Sequence, residues 1–448
     1  MTKALSIVFA ALLSALVATS AWAADEAAAP TEIATRLLDH MDAGNYAAAE
    51  AMFTAGMAAA VPADKLQAVW ESLPAQAGEA RGRGEPEVKS RDGMHVVRVP
   101  LQHAKADLVA SIAIDADGKV AGFLVQPAAA PAAAPPPADA GYEEREVQVG
   151  DGERALSGLL AMPQGDGPFP AVVLVHGSGP HDRDESIGPN RPFLDIARGL
   201  AAQGIAVLRF DKRTKVRPQD FADGTLTIDG ETTDDAVAAV AALAATPGID
   251  PTRIFVLGHS QGGMMAPRIA ARAGAAGTPV AGLVLLAAPA RKLLDILVEQ
   301  NRRLAVLDDA TTSVAEATAI DKLRMQVNAI RAASGDGDAA VAPGDTPLGL
   351  PAAYWRSTDA VDPVAEAEAL ALPMLVLQGA RDIQVVDADW QRWKRAFHDD
   401  PKVTFKLYPA LNHLAIAGEG PGSLAEYGTP GHVDAGLIED VAEWIGRH

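Results

Sequence analysis

Apolar residues fill every position of Ala171-Val172-Val173-Leu174-Val175 and Ile254-Phe255-Val256-Leu257, and nearly every position from Pro373 to Gln378. Runs this short, bounded by glycine and polar turn residues, read as strands buried on both faces. Between them, Pro192 to Gln203, Thr233 to Ala245 and Gln261 to Ala273 carry apolar positions at helical spacing, and Val433 to Ile445 closes the series. Val403 to Tyr408 alternates apolar and polar, as a half-exposed strand does. Strands that alternate with helices are joined by crossovers, so the pattern predicts an α/β unit with a mostly parallel sheet.

The first third of the chain has another rhythm. Glu32 to Met41, Tyr46 to Met57 and Ala63 to Leu73 are helix-spaced. Alternating runs follow near Glu85 to Lys89, His95 to Leu101, Asp107 to Ile114 and Val120 to Val125, with Asp92-Gly93 and Asp117-Gly118 as hairpin signals. Helices followed by a strand meander predict a small α+β domain over residues 24–127. Ala128 to Ala140 reads AAAPAAAPPPADA, which has no periodicity with which to fill a core. Residues 128–141 are therefore expected to be a semi-rigid linker, with the α/β unit over 142–448.

Within that unit the alternation stops between Ala290 and Leu372. A long helical stretch around Asp295 to Ala333, a Gly/Asp/Pro-rich loop from Ser334 to Pro347 and the segment Pro351-Ala352-Ala353-Tyr354-Trp355 occupy the gap. An insertion of this size, about 290–372, predicts a helical lid. Tyr354 and Trp355 in the lid, with Met264 in the sheet-bound unit, are candidate pocket residues.

The chemistry concentrates at the ends of the predicted strands. Gly258-His259-Ser260-Gln261-Gly262 lies between a buried-strand pattern and a helix, the setting of a nucleophile elbow, in which a sharp turn lifts the serine hydroxyl above the sheet edge. A serine hydroxyl is a weak nucleophile and requires a histidine base with an orienting acid. Asp382 follows Pro373 to Gln378 through Gly379-Ala380-Arg381, and His413 follows the next strand through Pro409-Ala410-Leu411-Asn412. Sites in open α/β sheets form outside the carboxyl ends of the strands, so Ser260, Asp382 and His413 are expected to meet there as a triad. Upstream, His176-Gly177-Ser178-Gly179-Pro180 leaves a strand as a Gly-rich turn, and the backbone N–H groups of Ser178 and Gln261 are the candidate oxyanion hole.

Other polar residues fit blander roles. His176 reads as a structural loop histidine, Asp387 as a first-turn or capping acid, and Asp362 precedes Pro363 inside the lid. His432 and His398 flank helices. His181-Asp182-Arg183-Asp184-Glu185 reads as a salt-bridge cluster, because its residues are consecutive rather than spaced on one helix face as metal ligands are. His40, His95 and His103 have no ligand spacing either. No metal is expected.

HGSGPHDRDE, FDKR, GHSQGG, LQGARD and LNH, in that order across residues 142–448, resemble the α/β-hydrolase superfamily and, within it, esterase-like, dienelactone-hydrolase-like and serine-peptidase-like members. The resemblance implies a Ser-Asp-His triad, an acyl-enzyme and no cofactor. Thr214-Lys215-Val216-Arg217 departs from the glycine that usually follows FDKR in such proteins. The domain at 24–127 resembles the NTF2-like or DUF3887 domains that precede some α/β-hydrolases.

Composition narrows the partners. A chain of 448 residues, 49% hydrophobic, can bury a large core and hold more than one domain. Its formal net charge of -20 argues against nucleic acid and anionic membrane as partners, since both need a basic face. Lys3, the apolar stretch Ala4 to Ala18 and Ser20-Ala21-Trp22-Ala23 have the layout of a secretory signal, so residues 1–23 are expected to be cleaved after Ala23, placing the protein in the periplasm or outside the cell. The apolar stretch is short for a membrane span, and an uncleaved anchor is the competing reading. The expected activity is that of a serine hydrolase on small-molecule carboxylic esters. A serine peptidase and a non-catalytic envelope binding protein on a hydrolase scaffold are the alternatives, and assembly into a homo-oligomer is left open.

Overall fold

The computed structural model describes residues 29–91, 93–104, 107–128, 133–306, 311–333 and 345–448. The signal-like segment 1–23 lies outside them, as do parts of the Ala/Pro linker and most of the loop expected from Ser334 to Pro347. The chain divides into two compact units, with the division between Ala130 and Pro131.

The first unit runs α1 (Pro30–Asp42), α2 (Tyr46–Glu50), α3 (Ala55–Ala60), α4 (Ala63–Ala77), β1 (Ala80–Arg83), β2 (Glu87–Arg91), β3 (Met94–His103), β4 (Leu108–Ile114) and β5 (Val120–Pro127). Its sheet is antiparallel, in the order β1-β3-β4-β5, with β2 also paired to β3. Strand β4 alternates buried and half-buried positions throughout, and its inward residues Leu108, Ala110, Ile112 and Ile114 pack against Leu37, Leu38 and Met41 of the helices. The helix expected from Tyr46 to Met57 is in fact two. Thr54 caps α3 by accepting the Met57 N–H at 3.2 Å, and Phe53 bridges to Val120, so the chain turns where the apolar spacing continued. Strand β1, whose sequence is the polar ARGR, has no alternation by which it could be read.

The second unit begins with β6 (Tyr142–Val149), β7 (Leu156–Pro163), β8 (Phe169–Val175), α5 (Pro192–Ala201), β9 (Ala206–Phe210), α6 (Arg213–Val216), α7 (Asp234–Ala244), β10 (Ile249–His259), α8 (Gln261–Ala275) and β11 (Gly282–Leu286). After β11 come α9 (Leu293–Ala305), α10 (Val314–Ala332), α11 (Ala352–Asp359) and α12 (Pro363–Glu368). The sheet then resumes with β12 (Met374–Gly379), followed by α13 (Asp387–Phe397), β13 (Val403–Tyr408) and α14 (Ala435–Arg447).

Eight strands form one sheet in the order β13-β12-β11-β10-β8-β9-β7-β6. Every pair from β13 to β9 is parallel, while β7 and β6 extend the far edge antiparallel. All five residues of β11 are buried, as a central strand covered on both faces must be. One face carries a core of Val173, Val256, Leu283, Leu285, Met265 and Ile269 with their neighbours. The opposite face packs Val172, Leu257, Val284 and Leu377 against Phe193, Leu437 and Trp444. Each such aliphatic side chain contributes roughly 1.5–3 kcal/mol when fully buried, so the site rests on a stiff platform.

The long helix expected from Asp295 to Ala333 is interrupted: α10 starts afresh at a capping box in which Ser313 accepts the Glu316 N–H and the Glu316 carboxylate accepts the Ser313 N–H. Thr214 to Val216, the point of departure from the resembled pattern, falls within the short helix α6.

Candidate active site

The turn after β10 is held by close backbone packing. Ser260 has φ 53° and ψ -120°, a conformation side-chain-bearing residues rarely adopt. A Cβ on Gly258 would come within 2.2 Å of the Gly262 carbonyl oxygen, and one on Gly262 within 2.1 Å of the Val175 carbonyl oxygen. Only glycine fits at either place, and the fit brings the first turn of α8 against the end of β8. Ser260 is left half-buried, with the opening N–H groups of α8 beside it.

Two strands away, Asp382 and His413 meet. Asp382 Oδ2 accepts the His413 Nδ1–H at 2.7 Å and a 3.2 Å bond from Gln378 Nε2, while its Oδ1 accepts the N–H groups of Gln384 and Val385 at 2.8 and 3.0 Å. The carboxylate is thus fixed by four donors, and its hydrogen bond to Nδ1 leaves Nε2 of His413 as the basic nitrogen. A Cβ on Gly379 would meet the Leu411 carbonyl oxygen at 2.3 Å, which measures how tightly the ends of β12 and β13 hold these two loops together.

His259 ties this pair to the serine. Its Nε2 lies 2.8 Å from the His413 carbonyl oxygen and its Nδ1 2.9 Å from Glu185 Oε2, and the rings of His259 and His413 are 4.7 Å apart between centroids. Glu185 Oε1 in turn accepts the Gly177 N–H at 2.6 Å. Gly177 stands against Ser260, since a Cβ there would be 3.2 Å from the Ser260 Cβ. The ends of β8, β10 and β13 therefore converge on one point. Ser260 and His413 share no hydrogen bond in this structure, and such contacts often tighten only when substrate is bound.

At the candidate oxyanion position, the Gly177 N–H is committed to Glu185, whereas the N–H groups of Ser178 and Gln261 have no acceptor among the described residues. The loop is braced from behind. Lys212 Nζ donates to the Gly177 carbonyl at 2.8 Å and pairs with Glu231 at 3.0 Å. Glu231 accepts the Tyr354 hydroxyl at 2.7 Å, and the Gln261 side-chain amide donates to that hydroxyl at 3.0 Å. Burial, with Glu231's charge beside it, pushes the Tyr354 phenol well above its usual value, so it stays a neutral donor.

The pocket expectation for Met264, Tyr354 and Trp355 needs correction. All three are core side chains, at 0%, 3% and 3% exposure, packed in the cluster under the sheet. Trp355 Nε1 is spent on the Pro347 carbonyl at 2.9 Å, and Tyr354 bridges to Glu231 instead of presenting an open wall. An aromatic pair looks alike in sequence whether it lines a cavity or fills a core.

Asp387 is exposed and accepts only from Gln391, and Asp362 caps α12 through the Ala365 N–H. Exposed His432 pairs with Asp195, and exposed His398 with Asp399. Arg183 and Asp184 form ion pairs with Asp211 and Arg209. Glu185, which holds both Gly177 and His259, was not singled out by sequence reasoning, because nothing in HDRDE separates it from its salt-bridged neighbours. Among the described residues no three metal-ligating side chains converge.

A family profile described as "Serine aminopeptidase, S33" matches residues 167–419, and one described as "Protein of unknown function (DUF3887)" matches residues 34–123. The esterase EstD of Thermotoga maritima is 35% identical over 410 residues, covering 91% of this chain and 93% of its own. Among solved structures, an esterase of Pyrococcus furiosus is 15% identical over 71% of this chain and 96% of its own, with a TM-score of 0.41. An esterase of Pyrobaculum calidifontis is 18% identical over 68% and 85%, also at 0.41. Likenesses at that score add nothing to the assignment, which rests on the sequence matches and the sheet. This chain belongs to the S33 serine aminopeptidase family of α/β-hydrolase enzymes, preceded by a DUF3887 domain.

Proposed function

We propose that the protein is a carboxylesterase-like serine hydrolase in which Ser260 is the nucleophile, His413 the general base and Asp382 the acid that orients it. The observation that carries this reading is the 2.7 Å Asp382–His413 bond on a loop tied, through His259, to the left-handed turn at Ser260. His413 Nε2 takes the hydroxyl proton as Ser260 Oγ attacks the ester carbonyl, and the N–H groups of Ser178 and Gln261 receive the oxyanion. The protonated His413 then releases the alcohol by giving it that proton. Water attacks the acyl-enzyme by the same route, freeing the acid and restoring Ser260.

Esters are favoured over aminopeptidase substrates by the charges near the nucleophile. Holding a substrate's α-ammonium requires a carboxylate with free capacity. The buried Glu185 and Glu231 are already paired, with His259 and Lys212. The relatedness to the Thermotoga maritima esterase supports the same choice. The helices between β11 and β12 serve in this reading as a lid that selects the acyl group. The signal-like N-terminus supports export to the periplasm, which N-terminal sequencing of protein from that fraction tests by whether the chain starts at Ala24.

Turnover of p-nitrophenyl esters against aminoacyl anilides, with a fluorophosphonate label mapped by peptide sequencing, tests the whole reading. Label on Ser260, ester turnover well above anilide turnover, and loss of about a millionfold in Ser260→Ala are expected. Ser260→Ala keeping more than about a tenth of the activity would remove the serine from the mechanism.

A further inference from the structure

His259 and Glu185 take no part in those proton transfers, yet they are 3% and 0% exposed. Both ring nitrogens of His259 face groups that only accept: the Glu185 carboxylate at 2.9 Å and the His413 carbonyl at 2.8 Å. A neutral imidazole has one N–H, so satisfying both acceptors requires the imidazolium. Glu185 uses its remaining oxygen on the Gly177 N–H at 2.6 Å, and itself sits at φ 51°, held in a strained backbone turn. One ion pair therefore spans from the loop carrying the oxyanion donor to the loop carrying the base, with the neighbour of the nucleophile as its cation.

We propose that Glu185 and His259 form a fixed ion pair that positions the Ser178 N–H and His413 relative to Ser260, making them positioning residues for the hydrolysis. The inference rests on the triad reading above.

The surrounding charges keep the pair ionised. His259 faces Glu185, the His413 ring and, further off, Asp382; Glu185 faces His259, His181 and His176, and Lys212 acts on both of those histidines. Burial acts to raise the Glu185 carboxyl, but the charge and hydrogen bond of His259 outweigh it and hold it down to about 2. Burial likewise works against the His259 cation, and Glu185 outweighs it, raising the imidazole above its ordinary value. The pair thus stays charged from far below pH 5 to beyond 6.5. A buried pair of this kind contributes little net stability over an apolar substitute, so its worth lies in geometry. Misplacing the oxyanion donor or the base by about 1 Å costs on the order of a hundredfold in rate.

The full-length protein carrying Glu185→Gln, Glu185→Asp or His259→Gln tests this, with kcat expressed per fluorophosphonate-titrated site and with 15N spectra of the histidine rings. Glu185→Gln keeps an acceptor for Gly177 but withdraws the negative charge. It and His259→Gln should each lower kcat roughly 10- to 100-fold with KM within about threefold, and the double variant should be little worse than the poorer single one, as members of one unit are. Glu185→Asp, retaining the charge, should recover part of the loss. In the wild type, both His259 nitrogens should show imidazolium shifts throughout about pH 5–6.5, with loss of the proton only above the ordinary imidazole range. Folded variants with wild-type kcat per site, or a wild-type His259 that is neutral or titrates in that window, would overturn the proposal; the wild-type spectrum decides even where a variant fails to fold. Activity surviving in Ser260→Ala would instead overturn the triad and leave the His259 spectrum as it was.

Discussion

Burial presses the His176 imidazole down to about 3, with His181 and Lys212 acting in the same direction and the Glu185 charge opposing them. It remains neutral, giving its Nε2–H to the Asp182 carbonyl at 3.0 Å between the rings of Phe193 and Phe210. An unfolded chain takes up a proton on this residue near 6.5, and the folded one does not until about 3. Its contribution is therefore intact above 6.5 and is lost as pH falls from there toward 3. Glu185, held at about 2 against an ordinary 4.5, loses its contribution between those values, while the part from the raised His259 is present below 6.5 and fades as pH rises past its folded value. Denaturant titrations from about pH 7 to 4 should show the wild type losing stability relative to His176→Gln by at most about 1.4 kcal/mol per pH unit. A constant difference would mean that His176 is already charged in the fold. At this scale Ser260, Asp382 and His413 were legible because each follows a recognisable strand. Glu185 was not, since its partners lie 8 and 74 positions away and its turn leaves no compositional trace.

Runs made wholly of apolar residues, such as Ala171 to Val175 in β8 and Ile254 to Leu257 in β10, announced themselves, because a strand covered on both faces tolerates little else. The helix boundaries inside the insertion did not. Periodicity ran straight through the capping box at Ser313 and Glu316, although S-x-x-E just ahead of a helix is a start signal that the sequence does carry. The junction of β8, β10 and α8 is where an element-scale change should be most damaging. Gly262→Ala places a methyl 2.1 Å from the Val175 carbonyl oxygen and 2.7 Å from that of His176, so helix and strand must part. Stability should drop by about 1–3 kcal/mol and kcat at least about a hundredfold, read by thermal unfolding and ester hydrolysis. Near wild-type kcat would show that the elbow can shift without disturbing the oxyanion loop.

The division between Ala130 and Pro131 leaves Ser260, Asp382, His413 and both candidate oxyanion donors within the second unit. A chain beginning at Pro131 should fold and hydrolyse small p-nitrophenyl esters with kcat within about threefold of the full protein, since no catalytic group is removed. A folded but inactive fragment would assign residues 29–128 a part in the chemistry. The two-unit organisation was legible from the change of rhythm and the Ala/Pro run; the core packing of Tyr354 was not, because it depends on Glu231 and Gln261, which only the assembled sheet brings near. That assembly has its own consequence. His413, the proposed base, arrives on the loop after β13, the edge strand, and α14 closes over the sheet only later, setting Trp444 edge-on to Phe255 with ring centroids 5.7 Å apart. A growing polypeptide thus holds Ser260, the proposed nucleophile, for roughly 150 residues of further synthesis before His413, which would accept its proton, has been made. With ribosomes adding about 5–20 residues per second, the nascent chain stays chemically mute for several seconds or more. Ester cleavage by ribosome-bound chains would accordingly serve as a clock for the moment the last strand docks.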